Sequence, residues 1–381
     1  MKNKYPSKEN IIFKIIRIAL GLVFIFSAFV KGVDPLGTAY RVEDYLLVYN
    51  LEWMVSYKLI ISFLLITVEF VMGFGLLFKL RYKRIVWLTF FMMIFFTVVT
   101  WFDAKNNLVP DCGCFGDAIK LTNWQTFYKN IVLLAMTLIL LFQKKPDKQR
   151  VPKSIQLIIL ALGAIAFYSF EAYNYHHLPV IDFRGWKVGN DMKYKNVDSE
   201  KIYLTYKNKK TGELKEYVSP DYPWQDSAWR ADWEFVGKRI DDSKVIKPHN
   251  LIIEDEYGTD ITKELIENPE YQVLIISSNL QEANGEGMIK ASELAHILQK
   301  EGINVNLITG SDLESIKTLK TLYAIDYPVD FADETDLKAM IRSNPGIILL
   351  HNGTIVKKWH FNDIPSGNEL IKELANAKLK L

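Results

Sequence analysis

The sequence predicts an α-helical membrane bundle of four helices plus a fifth span, followed by an α/β soluble domain. Three observations predict it. Apolar residues crowd into about the first 175 of the 381 positions, while charge fills the rest. Within that first part, five apolar runs of roughly 18–20 residues each match what an α-helix needs to cross a ~30 Å hydrocarbon core. From about Lys247 onward, strand-like and helix-like stretches alternate, the pattern of a sheet covered by helices.

The length allows two or three folded units. A formal net charge of +2 from 46 basic and 44 acidic residues leaves no electrostatic footprint for nucleic acid. Membrane lipid is the expected partner. The spans read as Ile11 to Val30, Leu59 to Phe78, Ile85 to Phe102, Trp124 to Phe142 and Ile155 to Tyr173, with Lys129 and Asn130 interrupting the fourth. The first follows a basic start, as a secretory signal does, but it has the length of a full span and no small-residue cleavage site, so it is read as retained.

Lys and Arg set the orientation. Lys2, Lys4, Lys8, Lys79, Arg81, Lys83, Arg84, Lys144, Lys145, Lys148, Arg150 and Lys153 lie on one side of the spans, against Lys31, Arg41, Lys58, Lys105 and Lys120 on the other. This asymmetry places the N-terminus in the cytoplasm and everything after Tyr173 on the far side, together with the loop from Asp111 to Asp117.

The chain therefore divides into a four-helix membrane domain (1–145), a fifth transmembrane helix (146–178), a β-rich connecting region (179–246) and an α/β domain (247–381). The connecting region holds hairpin-like pieces, Lys201 to Tyr206 and Glu213 to Val218 around Thr211-Gly212. Trp224, Trp229 and Trp233 read as aromatics packed inward on this extension, a docking patch being the alternative. His176 and His177 lack a third ligand at suitable spacing, so no metal site is predicted and they read as interfacial residues.

In the last unit a strand Tyr271 to Ser277 precedes a helix Gly285 to Lys300 and a strand Ile303 to Thr309. Ser311 with Glu314 forms a capping box for the next helix. A strand Tyr327 to Phe331, a helix Asp333 to Arg342, a hairpin Ile347 to Trp359 turning at Asn352-Gly353 and a helix Ser366 to Lys378 complete the order βαβαβαββα. This order resembles a thioredoxin-like domain over about the last 135 residues. The stretch from Leu251 to Gly258 resembles the lead-in hairpin of membrane-linked thioredoxins and peroxiredoxins, and Asn344-Pro345-Gly346-Ile347 resembles the cis-proline turn, which makes Pro345 a structural residue. The sequence departs from that family where chemistry matters. Ser278-Asn279-Leu280-Gln281 stands where the redox pair belongs, and the domain has no cysteine. Without a thiolate it lacks the nucleophile of disulfide exchange, and Ser278 has no evident base near it in sequence. It reads as a module that binds without catalysing.

The two cysteines of the chain stand in Pro110-Asp111-Cys112-Gly113-Cys114-Phe115-Gly116-Asp117. A pair one residue apart, facing an oxidising compartment, can close a small strained ring where Gly113 relaxes the backbone, and strain makes such a disulfide a willing oxidant. A quiet disulfide, or two thiols plugging the loop into the helix ends, is the alternative; a metal site lacks partner ligands. Cys112 and Cys114 are the candidate catalytic residues, with Gly113 structural. Glu69 sits near the middle of the second span, where an ionised carboxylate costs a few kcal/mol unless paired. It is a candidate proton relay or quinone-head contact; equally, it could lock helices together through Thr67, Thr97 or Arg17. Gly73 and Gly75 permit close helix packing.

Arg17-Ile18-Ala19-Leu20-Gly21, continuing to Phe26-Ser27-Ala28-Phe29-Val30-Lys31-Gly32-Val33-Asp34-Pro35, resembles the first helix of the DoxX-like membrane proteins. Cys112-Gly113-Cys114-Phe115-Gly116 is similar to the signature of the methylamine-utilisation protein MauE, a branch of that superfamily. Together they cover about the first 145 residues, and the fusion to a cysteine-free thioredoxin-like domain resembles Bacteroidetes-type DoxX proteins. The resemblance implies a bacterial inner membrane, a periplasmic C-terminal domain and a redox role for Cys112 and Cys114. MauE-like proteins are linked to maturation of disulfide-containing periplasmic enzymes, and DoxX relatives include quinone-coupled subunits. Methylamine itself does not follow from this. Two function classes result: a membrane thiol oxidoreductase coupled to quinone, whose thioredoxin-like domain presents a periplasmic client, and a non-catalytic envelope scaffold holding a protein partner. An enzyme should show a redox state that answers to quinone; a scaffold should tolerate loss of both thiols.

Overall fold

The computed structural model of the protein describes residues 10–109, 113–143, 151–195, 201–241 and 246–378. The expectations placed on Cys112, Asp111 and the basic residues Lys2, Lys4, Lys8, Lys144, Lys145, Lys148 and Arg150 lie outside these residues.

Among the described residues, five helices are long and apolar enough to cross a membrane. They are α1 (Ile11–Val33), α3 (Lys58–Leu77), α4 (Tyr82–Asn106), α5 (Asn123–Leu141) and α6 (Lys153–His176). Each matches a predicted span. Leu64, Phe91, Ile158 and Leu162 stand more than half exposed on them, as side chains turned toward lipid do. The first and third helices approach closely at Gly21 and Gly73, where a side chain on Gly73 would come within 2.8 Å of the Gly21 carbonyl. Arg17 donates to the carbonyl oxygens of Leu76 (2.6 Å) and Leu77 (2.7 Å), closing the C-terminus of α3. Thr122 and Gln125 form a capping box that starts α5. The fifth span packs on the bundle through Phe167, stacked on Phe70 at 4.2 Å.

The connection between the first two spans is itself helical. Helix α2 (Pro35–Val48) begins at Asp34, whose carboxylate accepts from the Gly37 amide at 2.8 Å, and Pro35 occupies the first turn, where its missing N–H does no harm. Hydropathy cannot see such a helix, because it is half polar and too short to span.

After α6, β1 (Lys201–Asn208) pairs antiparallel with both β2 (Leu214–Val218) and β3 (Trp233–Asp241), with helix α7 (Ser227–Asp232) before β3. The third strand was hidden in the sequence inside the tryptophan-rich stretch. Trp229 packs inward against Tyr206, Tyr217 and Trp233, whereas Trp224 is 50% exposed.

The α/β domain continues with α8 (Thr262–Ile266), β4 (Tyr271–Ser277), α9 (Gly285–Lys300), β5 (Asn304–Thr309), α10 (Leu313–Leu322), β6 (Val329–Phe331), α11 (Glu334–Met340), β7 (Gly346–His351), β8 (Thr354–His360) and α12 (Gly367–Lys378). The sheet order is β6-β5-β4-β7-β8, with β4, β5 and β6 parallel and β7 and β8 antiparallel. All seven residues of β4 are buried, as a central strand covered on both faces requires. This is a thioredoxin-like arrangement, and the Asn344–Pro345 peptide is cis.

At three local points the structure refines the sequence pattern, and at two of them, the cap of α10 and the end of α11, it corrects the expectation. The stretch from Leu251 to Gly258 enters a short hairpin: Glu254 pairs antiparallel with Asp260 across a turn in which Asp255 accepts from the Tyr257 and Thr259 amides, and Glu254 also pairs with Phe331, extending the sheet edge. Helix α10 is capped by Asp312, which accepts from Glu314 and Ser315, because the Ser311 hydroxyl is already taken by the Leu280 amide. Helix α11 ends at Met340, leaving Arg342 beyond it.

The junction between α6 and the α/β domain carries two hydrogen-bonded contacts: the Asn362 amide donates to the His176 carbonyl at 2.8 Å, and His177 Nδ1 lies 2.8 Å from Asp363. Beside them His360 is buried, which with the neighbouring His177 and His176 pushes its pKa down to about 4. The unfolded chain, titrating near the ordinary value of about 6.5, binds more protons between these limits, so stability is present above ~6.5 and is lost as pH falls toward ~4. Unfolding curves of the full chain should show up to about 3 kcal/mol of destabilisation across that window. His360→Asn should flatten this dependence; an unchanged curve would exclude His360 as its source.

Candidate functional site

A cavity of about 340 Å³ lies among α1, α2, α3, α4, α5 and the loop carrying Gly113, Cys114 and Phe115. Its walls are mostly apolar, including Val23, Phe24, Leu46, Leu65, Phe96 and Leu133. Phe95, also in the wall, is 58% exposed, so one side of the cavity borders the lipid-facing surface.

The polar groups gather at one end. Lys31 Nζ stands 2.6 Å from Glu69 Oε1, with both side chains at most 8% exposed. The Ser27 hydroxyl lies 2.9 Å from Glu69 Oε2 and 2.8 Å from the Cys114 carbonyl oxygen. Its one proton thus lies between a carboxylate and the backbone of the cysteine loop. Ser27 and Lys31 are four residues apart on α1 and so share a face. The loop is held from the other side by Lys129, whose ammonium lies 4.5 Å from the Phe115 ring centroid. The neighbouring Asn130 is buried and donates to Thr100 at 3.1 Å, which accounts for both polar interruptions of the fourth predicted span.

Gly113 and Gly116 have φ of +60° and +51°. A side chain on Gly113 would come 3.1 Å from Arg41, and one on Gly116 3.2 Å from Val30. The loop therefore needs both glycines, for conformation and for its seat against α1 and α2.

Of the sequence-identified residues, Cys114, Gly113 and Glu69 come together at this cavity, Cys112 lies outside the described residues, and Pro345 stands in the α/β domain. The partners of Glu69 are not those expected. Thr67 donates to Glu171 on the fifth span (3.1 Å), Thr97 to its own helix at Met93, and Arg17 caps α3. Positions 67 and 69 point to different sides of a helix, which separates Thr67 from Glu69. Reading missed Lys31, although a lysine one turn beyond Ser27 near the end of the first span was the available signal. Glu171 was missed as well. Its Oε2 is buried without a hydrogen-bond partner among the described residues.

At the α/β domain, Ser277 donates to the Asn344 side chain at 2.7 Å, and Asn344 donates to the Asn279 carbonyl at 2.7 Å. The segment that follows β4 is thus tied to the proline turn. No cluster of three or more metal-ligating side chains occurs among the described residues.

The family model of the methylamine utilisation protein MauE matches residues 9–143, the membrane part that contains this cavity. Similar solved structures include a protein from Bacteroides thetaiotaomicron described as a candidate protein disulfide isomerase (14% identity, covering 32% of this chain and 82% of that one, TM-score 0.27). Others are a cysteine-to-serine mutant of PrxQ from Xylella fastidiosa (13%, 34% and 89%, TM-score 0.24) and a thioredoxin-like protein from Bacteroides caccae (9%, 82% and 76%, TM-score 0.24). Among curated proteins there is no match.

Proposed function

We propose that the protein is a membrane thiol–disulfide oxidoreductase of the DoxX/MauE type, in which the Cys112–Cys114 pair passes electrons from periplasmic thiols to a quinone. The observation that carries this reading is the position of Cys114 in the wall of an apolar cavity that borders lipid and ends in Ser27, Lys31 and Glu69. A small-molecule site of a few hundred Å³ with apolar walls and few polar groups suits a ring with a hydrocarbon tail. Lys31 and Lys129 offer donors to carbonyl oxygens at the polar end, and Glu69 a proton acceptor; a quinone there supplies a two-electron, two-proton acceptor. In the client half-reaction a client dithiol becomes a disulfide as the Cys112–Cys114 bond opens to two thiols. In the second half-reaction those thiols give two electrons and two protons to the bilayer quinone, leaving quinol, and the S–S bond re-forms.

The basic-residue asymmetry supports an inner-membrane location with the N-terminus cytoplasmic and the α/β domain periplasmic. The lack of cysteine in that domain supports a binding role for it toward client or partner. Mass spectrometry of protein from native membranes tests the reading. It should find an intramolecular Cys112–Cys114 bond that mild reductant opens and added quinone restores. Impermeant labelling after Leu381 should mark the outer side. Thiols that stay reduced in the native membrane would leave the scaffold function in its place.

A further inference from the structure

Helix α2 separates the cavity from the α/β domain. Thr38, Arg41, Val42 and Tyr45 line the cavity, at helical spacing along one face. Leu36, Ala39 and Tyr40, on the other face, line a cleft of about 530 Å³ opposite Ser278, Asn344 and His360 of the α/β domain. The stretch that stands in for the redox pair therefore faces the membrane domain.

One side chain joins all the parts. Arg342, 9% exposed, reaches from the end of α11 to Asp34 at the start of α2, with Nε 2.8 Å and 3.0 Å from the two carboxylate oxygens. Its Nη2 lies 3.4 Å from Asp117, in the cysteine loop. Its Nη1 donates to the Lys338 carbonyl, and its guanidinium lies 5.4 Å from the Tyr40 ring centroid. Gly37 leaves the space, since a side chain there would come 3.0 Å from Nη2. Burial tends to raise the Asp34 pKa, but the guanidinium, with Arg184 and the Gly37 amide, holds it below the ordinary carboxylate value. The three guanidinium nitrogens thus meet three different acceptors, Asp34 through Nε, Lys338 through Nη1 and Asp117 through Nη2, a divergent set that a single lysine ammonium cannot reproduce.

We propose that Arg342 is a positioning residue that docks the α/β domain on α2 and, through Asp117, restrains the loop of Cys114, so that docking of this domain controls access to the cysteine. Both anchors lie in the motif stretches read from the sequence, Asp34 in the first and Asp117 beside the second. The coupling element is α2, one face of which bears the domain while the other forms the cavity wall. A ligand that loosens docking should then open the loop, and by linkage opening the loop should weaken docking.

The test needs no assumption about redox function. In a Cys112→Ser background, Cys114 is the single thiol of the full chain, and its rate of modification by an impermeant maleimide is measured in membranes under reducing conditions. Arg342→Ala should raise that rate at least tenfold. Asp117→Asn, which leaves the Arg342–Asp34 pair in place, should raise it about threefold while hydrogen exchange across α2 stays at the parent level. Arg342→Lys should recover only part of the protection. Hydrogen exchange in β4, β5 and β7 checks that the α/β domain keeps its fold. If Arg342→Ala does not fold, Asp117→Asn carries the test alone. An unchanged labelling rate in the folded variants overturns the proposal, whether or not the cysteine pair proves to be redox-active.

Discussion

Glu69→Ala should lower the stability of the protein by roughly 3–5 kcal/mol, because it strands the Lys31 ammonium in the bundle interior, where an unpaired charge has neither water nor counter-ion. Thermal unfolding in detergent measures the loss. Glu69→Gln distinguishes the two accounts of this residue. A neutral acid bonded only to hydroxyls would accept an isosteric amide at little cost, whereas an acid paired with Lys31 at 2.6 Å loses its charge complement and should still cost more than about 1 kcal/mol. Replacing both partners, Lys31→Met with Glu69→Leu, should recover most of the stability, since well-packed apolar side chains commonly substitute for a buried pair at small net cost. If the double variant is stable yet no longer answers to quinone, the pair serves chemistry as well as packing. A loss below 1 kcal/mol for Glu69→Ala would mean that water reaches Lys31 in the working protein.

The spans and the strand order were legible in the sequence because each rests on a one-dimensional signal. Apolar length marks the helices α1, α3, α4, α5 and α6, and period plus punctuation marks β4 through α12. What stayed hidden is what pairs across the fold. Glu69 announced itself as a carboxylate in an apolar run, but its partner Lys31 lay near a span end, where a lysine reads as an interfacial residue. Arg342 was read as the last residue of a helix; nothing local says that it meets Asp34, 308 positions earlier. Helix α2 escaped for a related reason, since its apolar residues serve two neighbours and form no single stripe that a moment analysis would favour. The cysteine loop was legible as a motif, yet its seat against Ser27 and Arg41 required the bundle to bring α1 and α2 beside it.

Removing both thiols, Cys112→Ser with Cys114→Ser, should abolish quinone-dependent oxidation of client thiols while leaving the folded protein in the membrane, because serine is close to cysteine in size and shape and the glycines that set the loop conformation remain. Each single variant should lose the activity as well, since neither sulfur alone can close the internal bond. Cys112→Ser, keeping Cys114, should in addition trap mixed disulfides with clients if Cys114 is the sulfur that clients reach; trapping by Cys114→Ser instead assigns that role to Cys112. A cavity-filling change then separates the two half-reactions. Leu65→Trp places an indole in the apolar wall, on the face of α3 that carries Glu69 one turn further on. It should slow re-formation of the Cys112–Cys114 bond by quinone at least tenfold, yet leave the first transfer of electrons from a client dithiol to a pre-oxidised protein near the parent rate. Rapid-quench thiol trapping resolves the two steps. Equal loss in both would show that the filled cavity deforms the loop, and loss in neither would place the acceptor outside this cavity. Full client oxidation by the double serine variant would remove the oxidoreductase reading altogether and leave a protein whose membrane domain anchors a binding module.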